Sequence, residues 1–294
     1  MSVRVRHIQF RKTKAGALIH GTVPVTPDAF DLELHMHRAV YLTSALEAPK
    51  WGTVQSYDGA AMSGGLIHNI ALMPKTMTQG SFFGLLRRIE LTARDPRPFQ
   101  IIWRNLAAEG CYVAQDGKLR RTDNGKLVSG RAIRALFTPP NGNVPKRGPH
   151  WETAKAWAIA FHELFTHRST YLAQIDFAAE WMARGRGALE MSVYNDHGVG
   201  GDSPIGVRAA ALPPDVDLAM AVYHSFSVNG PGPAGTALKR ARDKSDFARR
   251  LIRNLGTSSY GVWKEKRYAH TRRAVRKAGL WDAKLVSALM PAKL

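Results

Sequence analysis

Two carboxylates and a hydroxyl, closely spaced within the segment Leu46–Asn69, could do chemistry: Glu47, Asp58 eleven residues on, and Ser63 five beyond that. Glu47 closes an amphipathic stretch on an apolar background of Leu42, Ala45 and Leu46. A carboxyl partly desolvated there has its pKa raised, as a general acid requires. Asp58 precedes a glycine among polar neighbours, where a carboxylate stays ionised. Two carboxylates in unlike environments meet the requirement for glycoside hydrolysis, in which one donates a proton and the other activates water or attacks. Ser63 could hold a water against the second. Taken bare, a solvated Glu at a helix end and an Asp in a turn account for such a pair equally well.

Other motifs carry less. His162 and His167 are five apart, whereas two ligands on one helix face need four, so they read as surface histidines at a helix end. Gly198-Val199-Gly200-Gly201 lacks the glycine spacing of a dinucleotide loop. Met62-Ser63-Gly64 lacks the glycine two before the serine that a nucleophile elbow requires. His35 and His37, two apart, point to different faces of the predicted helix.

The elements that must position these residues follow from periodicity and punctuation. Val3–Val25 reads as two strands joined by a turn at Lys12–Gly16, a hairpin over residues 1–25 packed on the main domain at 26–294. Thr26-Pro27-Asp28 predicts a helix start, with Phe30, Leu34, Ala39, Leu42 and Leu46 at helical spacing up to Glu47. Trp51–Ile70, short and glycine-rich, predicts a small sheet. Helices are expected over Gly80–Thr92, Trp151–Phe165, Thr170–Arg184 and Pro214–Phe226, and again over Ala237–Leu255, Val262–Ala278 and Asp282–Leu289. Residues 95–150 read as turns, with a loop at Pro139–Gly148.

Glu, a gap of about ten residues, then Asp-Gly-x-x-φ-Ser-x-Gly-φ resembles the catalytic core of the lysozyme superfamily, most of all its phage-lysozyme and chitosanase branches. The segment also resembles the small sheet of bacterial and phage peptidoglycan hydrolases: Asp58, Gly59, Ser63, Gly65, Leu66 and Asn69 carry that likeness, while His68 departs from it, as does Gly64, where a larger residue is usual. The resemblance covers roughly residues 40 to 70. It implies an α+β, mainly α-helical, lysozyme-like two-lobed fold with a small antiparallel β-sheet at the catalytic cleft. Glu47 would then be the general acid, Asp58 the general base and Ser63 the water-positioning hydroxyl of an inverting enzyme, with a retaining role for Asp58 as the alternative. Substrate contacts are expected from Trp51, Tyr57, His68 and Asn69, and from Asn195 and Asp196 across the cleft. The Asn195-Asp196 pair reads equally as a self-stabilised turn. No cofactor or metal is implied.

Composition bounds the class of partner, but charge alone does not choose among nucleic acid, an acidic membrane surface and the anionic polymers of a bacterial wall. With 294 residues, 45% apolar, the chain can bury a core, and its single cysteine, Cys111, excludes a disulfide framework. No apolar run approaches a membrane span, and the N-terminus has no signal-peptide pattern, so synthesis in the cytoplasm is expected. Lys and Arg number 42 against 23 acids, a net +19. Fourteen of these cations against three acids fall between Lys239 and Lys277, a local +11. Such a field draws a protein to polyanions. Bacterial peptidoglycan is the expected partner, reached by a phage lysis system or secretion machine, with an immunity protein as a further partner. A chitosanase would meet a cationic, repelled substrate. Nucleic acid binding through Lys239–Lys277 is the alternative from another class, but no recognition motif accompanies the basic residues.

Overall fold

The computed structural model describes residues 10–12, 17–19, 21–34, 37, 38, 40, 41, 43, 44, 48–55, 60–73, 76–93, 95, 97–137 and 149–183. They combine helices with small antiparallel sheets, an α+β arrangement. Two compact units divide the chain: Met1–Pro24 with Ala48–Phe177, and Val25–Glu47 with Ala178–Leu294.

The first unit is built around one ladder. Strands β1 (Phe10–Lys12) and β2 (Ala17–Ile19) form the expected N-terminal hairpin. It is no appendage, because β2 also pairs with β5 (Val54–Gln55), through Leu18↔Gln55 and Ile19↔Val54. The ladder continues outward as β3 (Val23–Pro24) against β4 (Lys50–Trp51), with Val23 opposite Trp51. Three residues separate Ile19 from Val23 and two separate Trp51 from Val54, so the register slips by one, as at a β-bulge. Gly21 sits in the slip and donates its N–H to Thr53 Oγ1 at 3.3 Å. The chain leaves this ladder after Pro24 and returns to it at Lys50.

On its other side β5 pairs with β6 (Ser63–Gly64), and β6 with β7 (Asn69–Ile70), completing the sheet β1-β2-β5-β6-β7. The sheet expected over Trp51–Ile70 is therefore present. Strands β8 (Leu72–Met73) and β9 (Thr78–Gln79) make a small hairpin that leads into α2 (Phe82–Thr92). Helix α2 buries Phe82, Phe83, Leu85, Leu86 and Ile89, the apolar positions of an i, i+3, i+4, i+7 face.

Residues 95–150, expected as turns, instead hold two helices and a hairpin. Helix α3 (Arg97–Ala108) buries Phe99, Ile102 and Leu106. Its start is closed by Asp95, which accepts from the Arg97 backbone N–H at 3.0 Å. The hairpin of β10 (Cys111–Val113) and β11 (Leu119–Arg121) is tied to β9 by Gln79. That carboxamide donates to the Leu119 and Val128 carbonyls and accepts from the Leu119 N–H at 2.7 Å. Helix α4 (Gly130–Phe137) then packs Ile133, Leu136 and Phe137 inward.

Helices α5 (Pro149–Thr166) and α6 (Tyr171–Ala183) match the expected helices to within a few residues, with a 3₁₀ turn at Arg168–Thr170 between them. The core joins α5 to α2 through aromatic rings. Phe82 meets Phe161 edge-on at 4.8 Å, and Trp157, Phe161 and Phe165 run along α5 with stacked rings. Such pairs contribute about 0.5–1.5 kcal/mol each beyond the area they bury.

In the second unit the helix expected from Thr26 onward is broken. Pro27–Ala29 forms a single 3₁₀ turn, and Phe30 is extended (φ −116°, ψ 146°). Asp31 Oδ1 accepts from the Glu33 N–H at 3.1 Å, a local turn that competes with helix. The Asp31 N–H donates to His37 Nδ1, and Arg38 donates to the Leu32 carbonyl at 2.8 Å. Helix α1 follows, with described residues 37, 38, 40, 41, 43 and 44. Phe30 packs edge-on against Tyr41. Burial pushes the Tyr41 phenol above its ordinary range, with Asp28 adding to the effect. Pro214–Phe226 and the later helices, including the basic segment, lie outside the described residues.

Candidate functional site

Register decides which of the motif residues can act together. Ser63 stands opposite both Gln55 and Ile70, so these three share one face of the sheet. Gly64 stands opposite both Val54 and Asn69, which share the other. That second face is the core side. A Cβ on Gly64 would lie 2.9 Å from the Phe165 ring and 3.3 Å from Val54 Cγ2. A larger residue there, as the peptidoglycan-hydrolase pattern has, would collide with α5; glycine lets strand and helix meet.

Ser63 is fully buried, and among the described residues its Oγ has no hydrogen-bond partner. Its neighbour Gln55 is half-buried and donates from Nε2 to His68 Nδ1 at 3.4 Å. The carboxamide NH₂ can only donate, so the imidazole accepts at Nδ1. His68 is half-buried and closes the turn between β6 and β7 with φ +50°, a left-handed conformation that histidine adopts at a cost. Gly65, at φ +74°, opens the same turn. The result is a polar patch, Ser63–Gln55–His68, on the sheet face away from α5. Gln55 was missed from sequence. A two-residue strand offers no alternation to read, and only the register reveals that Gln55 faces Ser63.

Asn69, expected beside the substrate, is buried on the core side instead. Its Nδ2 is 3.6 Å, and Gln174 Oε1 3.5 Å, from where a Gly65 Cβ would sit. Gln174, on α6, donates to the Phe165 carbonyl at 3.1 Å and to Thr170 Oγ1 at 2.9 Å. This layer joins the β6–β7 hairpin to the helices and faces away from Ser63.

Trp51, expected as a sugar platform, is 2% exposed, and its ring lies parallel to Tyr171 at 3.8 Å and 5°. It is a core residue, although Val23, its partner across the ladder, is exposed. His162, expected at the surface, is buried and donates from Nδ1 to the Gly52 carbonyl at 2.6 Å. Only His167 behaves as a helix-end surface histidine. Its Nδ1 shares a 2.8 Å hydrogen bond with the Ser169 hydroxyl, and its Nε2 is 3.6 Å from Asp95 Oδ2. Asp95 is held down to about 2, first by hydrogen bonds from the Arg97 side chain and backbone.

Glu47, Tyr57, Asp58, Asn195 and Asp196 lie outside the described residues. Among the described residues no group of three or more His, Cys, Asp or Glu could hold a metal, and no helix is long and apolar enough to cross a membrane. Cys111 is free and buried, and burial pushes its thiol pKa up, the reverse of what a reactive thiolate needs. Neither a scan against protein-family models nor searches of curated proteins and of solved structures returned a match.

Proposed function

We propose that the chain is a peptidoglycan-degrading glycoside hydrolase of lysozyme type. Glu47 protonates the leaving glycosidic oxygen, Asp58 deprotonates the attacking water, and Ser63 holds that water, with inversion at the anomeric carbon. The observation that carries this reading is Ser63: a buried hydroxyl, without a partner among the described residues, on a short antiparallel strand five residues after Asp58. A buried hydroxyl left unpaired costs roughly 1–3 kcal/mol, a cost that a positioned water would relieve. The short sheet after α1 agrees with the order of elements that the motif implies. The net charge of +19 suits an anionic wall polymer better than cationic chitosan.

The test is turnover of purified peptidoglycan by the wild type and by Glu47→Gln. Release of soluble muropeptides, lost in the variant with its thermal transition unchanged, supports the hydrolase. Reducing-end muramic acid in the products identifies a muramidase, and reducing-end glucosamine a glucosaminidase. Equal release by both proteins refutes Glu47 as the acid. No release by either, together with salt-sensitive DNA binding, favours a nucleic-acid binder using Lys239–Lys277.

A further inference from the structure

The β10–β11 hairpin has an inner and an outer face, and the outer one carries a row of large side chains. A third segment, following the turn at Gly125, lies beside β11 through the Arg120↔Leu127 bridge. Alternation sorts the side chains of the three segments. Leu119 and Val128 are buried on the inner face, with Val113 opposite Leu119. Tyr112 stands opposite Arg120, and Arg120 opposite Leu127, so these three share the outer face. Tyr112 is 41% exposed and Leu127 55%. Arg120 between them is held in place, because its Nη1 donates to the Gly125 carbonyl at 3.0 Å and its Nη2 to Asp116 Oδ2 at 2.8 Å. Those two bonds fix the plane of the guanidinium and leave further N–H groups able to donate. At the usual strand spacing the row is about 10 Å long.

We propose that Tyr112, Arg120 and Leu127 form a docking surface for a glycan strand of the bacterial wall, outside the Glu–Asp–Ser motif. Tyr112 lies against the apolar face of one sugar ring, Arg120 donates to hydroxyl or acetamido oxygens beside it, and Leu127 covers the next ring. Size and charge together favour this occupant. Three side chains fall far short of the roughly 800 Å² per partner that a stable protein interface buries, whereas they match a pair of sugar rings. Between Glu109 and Arg131 five Lys or Arg stand against three acids, a local +2 with Asp116 and Asp123 set among the cations. A nucleic-acid strand carries a phosphate charge roughly every 3.4 Å and would meet those acids. A peptidoglycan strand turns neutral sugars to the row and carries its carboxylates on stem peptides, which suit Lys118 and Lys126 flanking the row in sequence. The proposal rests on the hydrolase reading for the identity of the polymer, and deepens it by assigning a surface that holds the strand.

The test is co-sedimentation of the full chain with purified sacculi, made on the Glu47→Gln background so that no turnover intervenes. At 1 M salt the attraction of the remaining cations is screened to about 3 Å, which leaves the contacts of the row. Tyr112→Ala and Leu127→Ser should each weaken binding about tenfold, as truncating a central anchor does, with the thermal transition unchanged. Tyr112→Phe keeps the ring and should bind within about twofold of the parent. With Glu47 restored, Tyr112→Ala should raise KM for sacculi and leave turnover of short soluble fragments within about twofold. Both truncations binding as well as the parent, or a parent that does not sediment with sacculi, overturns the proposal. Oligothymidine binding lost in Tyr112→Ala while sacculus binding stays intact also overturns it, and makes the row a nucleic-acid surface. Sacculus binding that depends on Tyr112, in a protein that releases no muropeptides, sustains this inference while sinking the hydrolase.

Discussion

Gly52 offers a severe test of the packing between the ladder and α5. It follows β4 with φ +76°, and a Cβ there would lie 2.0 Å from Thr166 Oγ1 and 2.8 Å from His162 Nδ1. Three costs of Gly52→Ala can be separated. Left-handed backbone on a non-glycine residue costs about 1–2 kcal/mol. Forcing a methyl into occupied space costs about 1–3 kcal/mol. Displacing His162 from its 2.6 Å bond to the Gly52 carbonyl adds about 0.5–1.5 kcal/mol if the ring moves. The expected loss is about 3–5 kcal/mol, read as a fall in urea midpoint at constant m-value. Thr166→Ala alone loses only the hydroxyl's bond to the His162 carbonyl, about 0.5–1 kcal/mol. In the double variant the worst overlap disappears, so the pair should be more stable than Gly52→Ala by about 1–2 kcal/mol. A Gly52→Ala protein within about 1 kcal/mol of wild type, or a double variant weaker than the single, would refute the close approach of this turn to α5.

Further outcomes follow from the site and its surroundings. Asp58→Asn should cut peptidoglycan turnover by about 10²–10⁴-fold in an initial-rate assay, because the water loses its base; more than a tenth of the rate remaining would remove Asp58 from that role. Asp95 is held at about 2, below its unfolded value near 4, so its stabilising contribution is present above about pH 4 and lost as pH falls toward 2. Midpoints of Asp95→Asn and wild type, apart at pH 6, should draw together as pH falls through 2. Cys111 should resist alkylation by iodoacetamide in the native state and react within minutes in urea, followed by mass spectrometry. Lysis of intact walls should fall between 0.1 and 1 M salt, as the Debye length shrinks from about 10 Å to about 3 Å, while cleavage of a short neutral fragment barely changes. Charge reversal at Arg249, Arg250, Arg272 and Arg273 should mimic the high-salt result on walls; equal salt sensitivity on both substrates would argue against adhesion.

The elements read correctly from sequence were those with an unambiguous period. Phe82, Phe83, Leu86 and Ile89 repeat at helical spacing, as do the apolar residues of α5 and α6. Helix α3 was missed because residues 95–150 were read as turns, yet Pro98 stands inside its first turn. Proline at the second helical position removes no bond that the helix makes, so Phe99, Ile102 and Leu106 had the better claim. The helix predicted from Thr26 failed for the opposite reason. Its apolar spacing was sound, but Asp31 closes a turn on itself and outcompetes the first helical bonds. At the site, the residue types of Ser63 and its strand were legible, whereas their facing was not. Ser63 and Asn69 are six apart and would share a side of one continuous strand. A four-residue turn intervenes and puts them on opposite sides. Trp51 was misplaced because an aromatic beside a carboxylate suggests a platform, whereas its ring is closed off by Tyr171, far along the chain.

The slipped ladder of β2–β3 against β4–β5 also sets how the molecule can assemble. Between Pro24 and Lys50 the chain makes an excursion of 25 residues, where a simple hairpin would use two. Closing that span costs about 2 kcal/mol more than a tight turn, from (3/2)RT ln of the length ratio. Both strands are also too short to pair durably before their neighbours arrive. The β6–β7 hairpin, closed by four residues, has no such handicap. Folding should therefore begin from the β6–β7 and helical side and reach the β2–β5 pairing late. The N-terminal hairpin would be the last edge to be added and, in hydrogen exchange, the first to open.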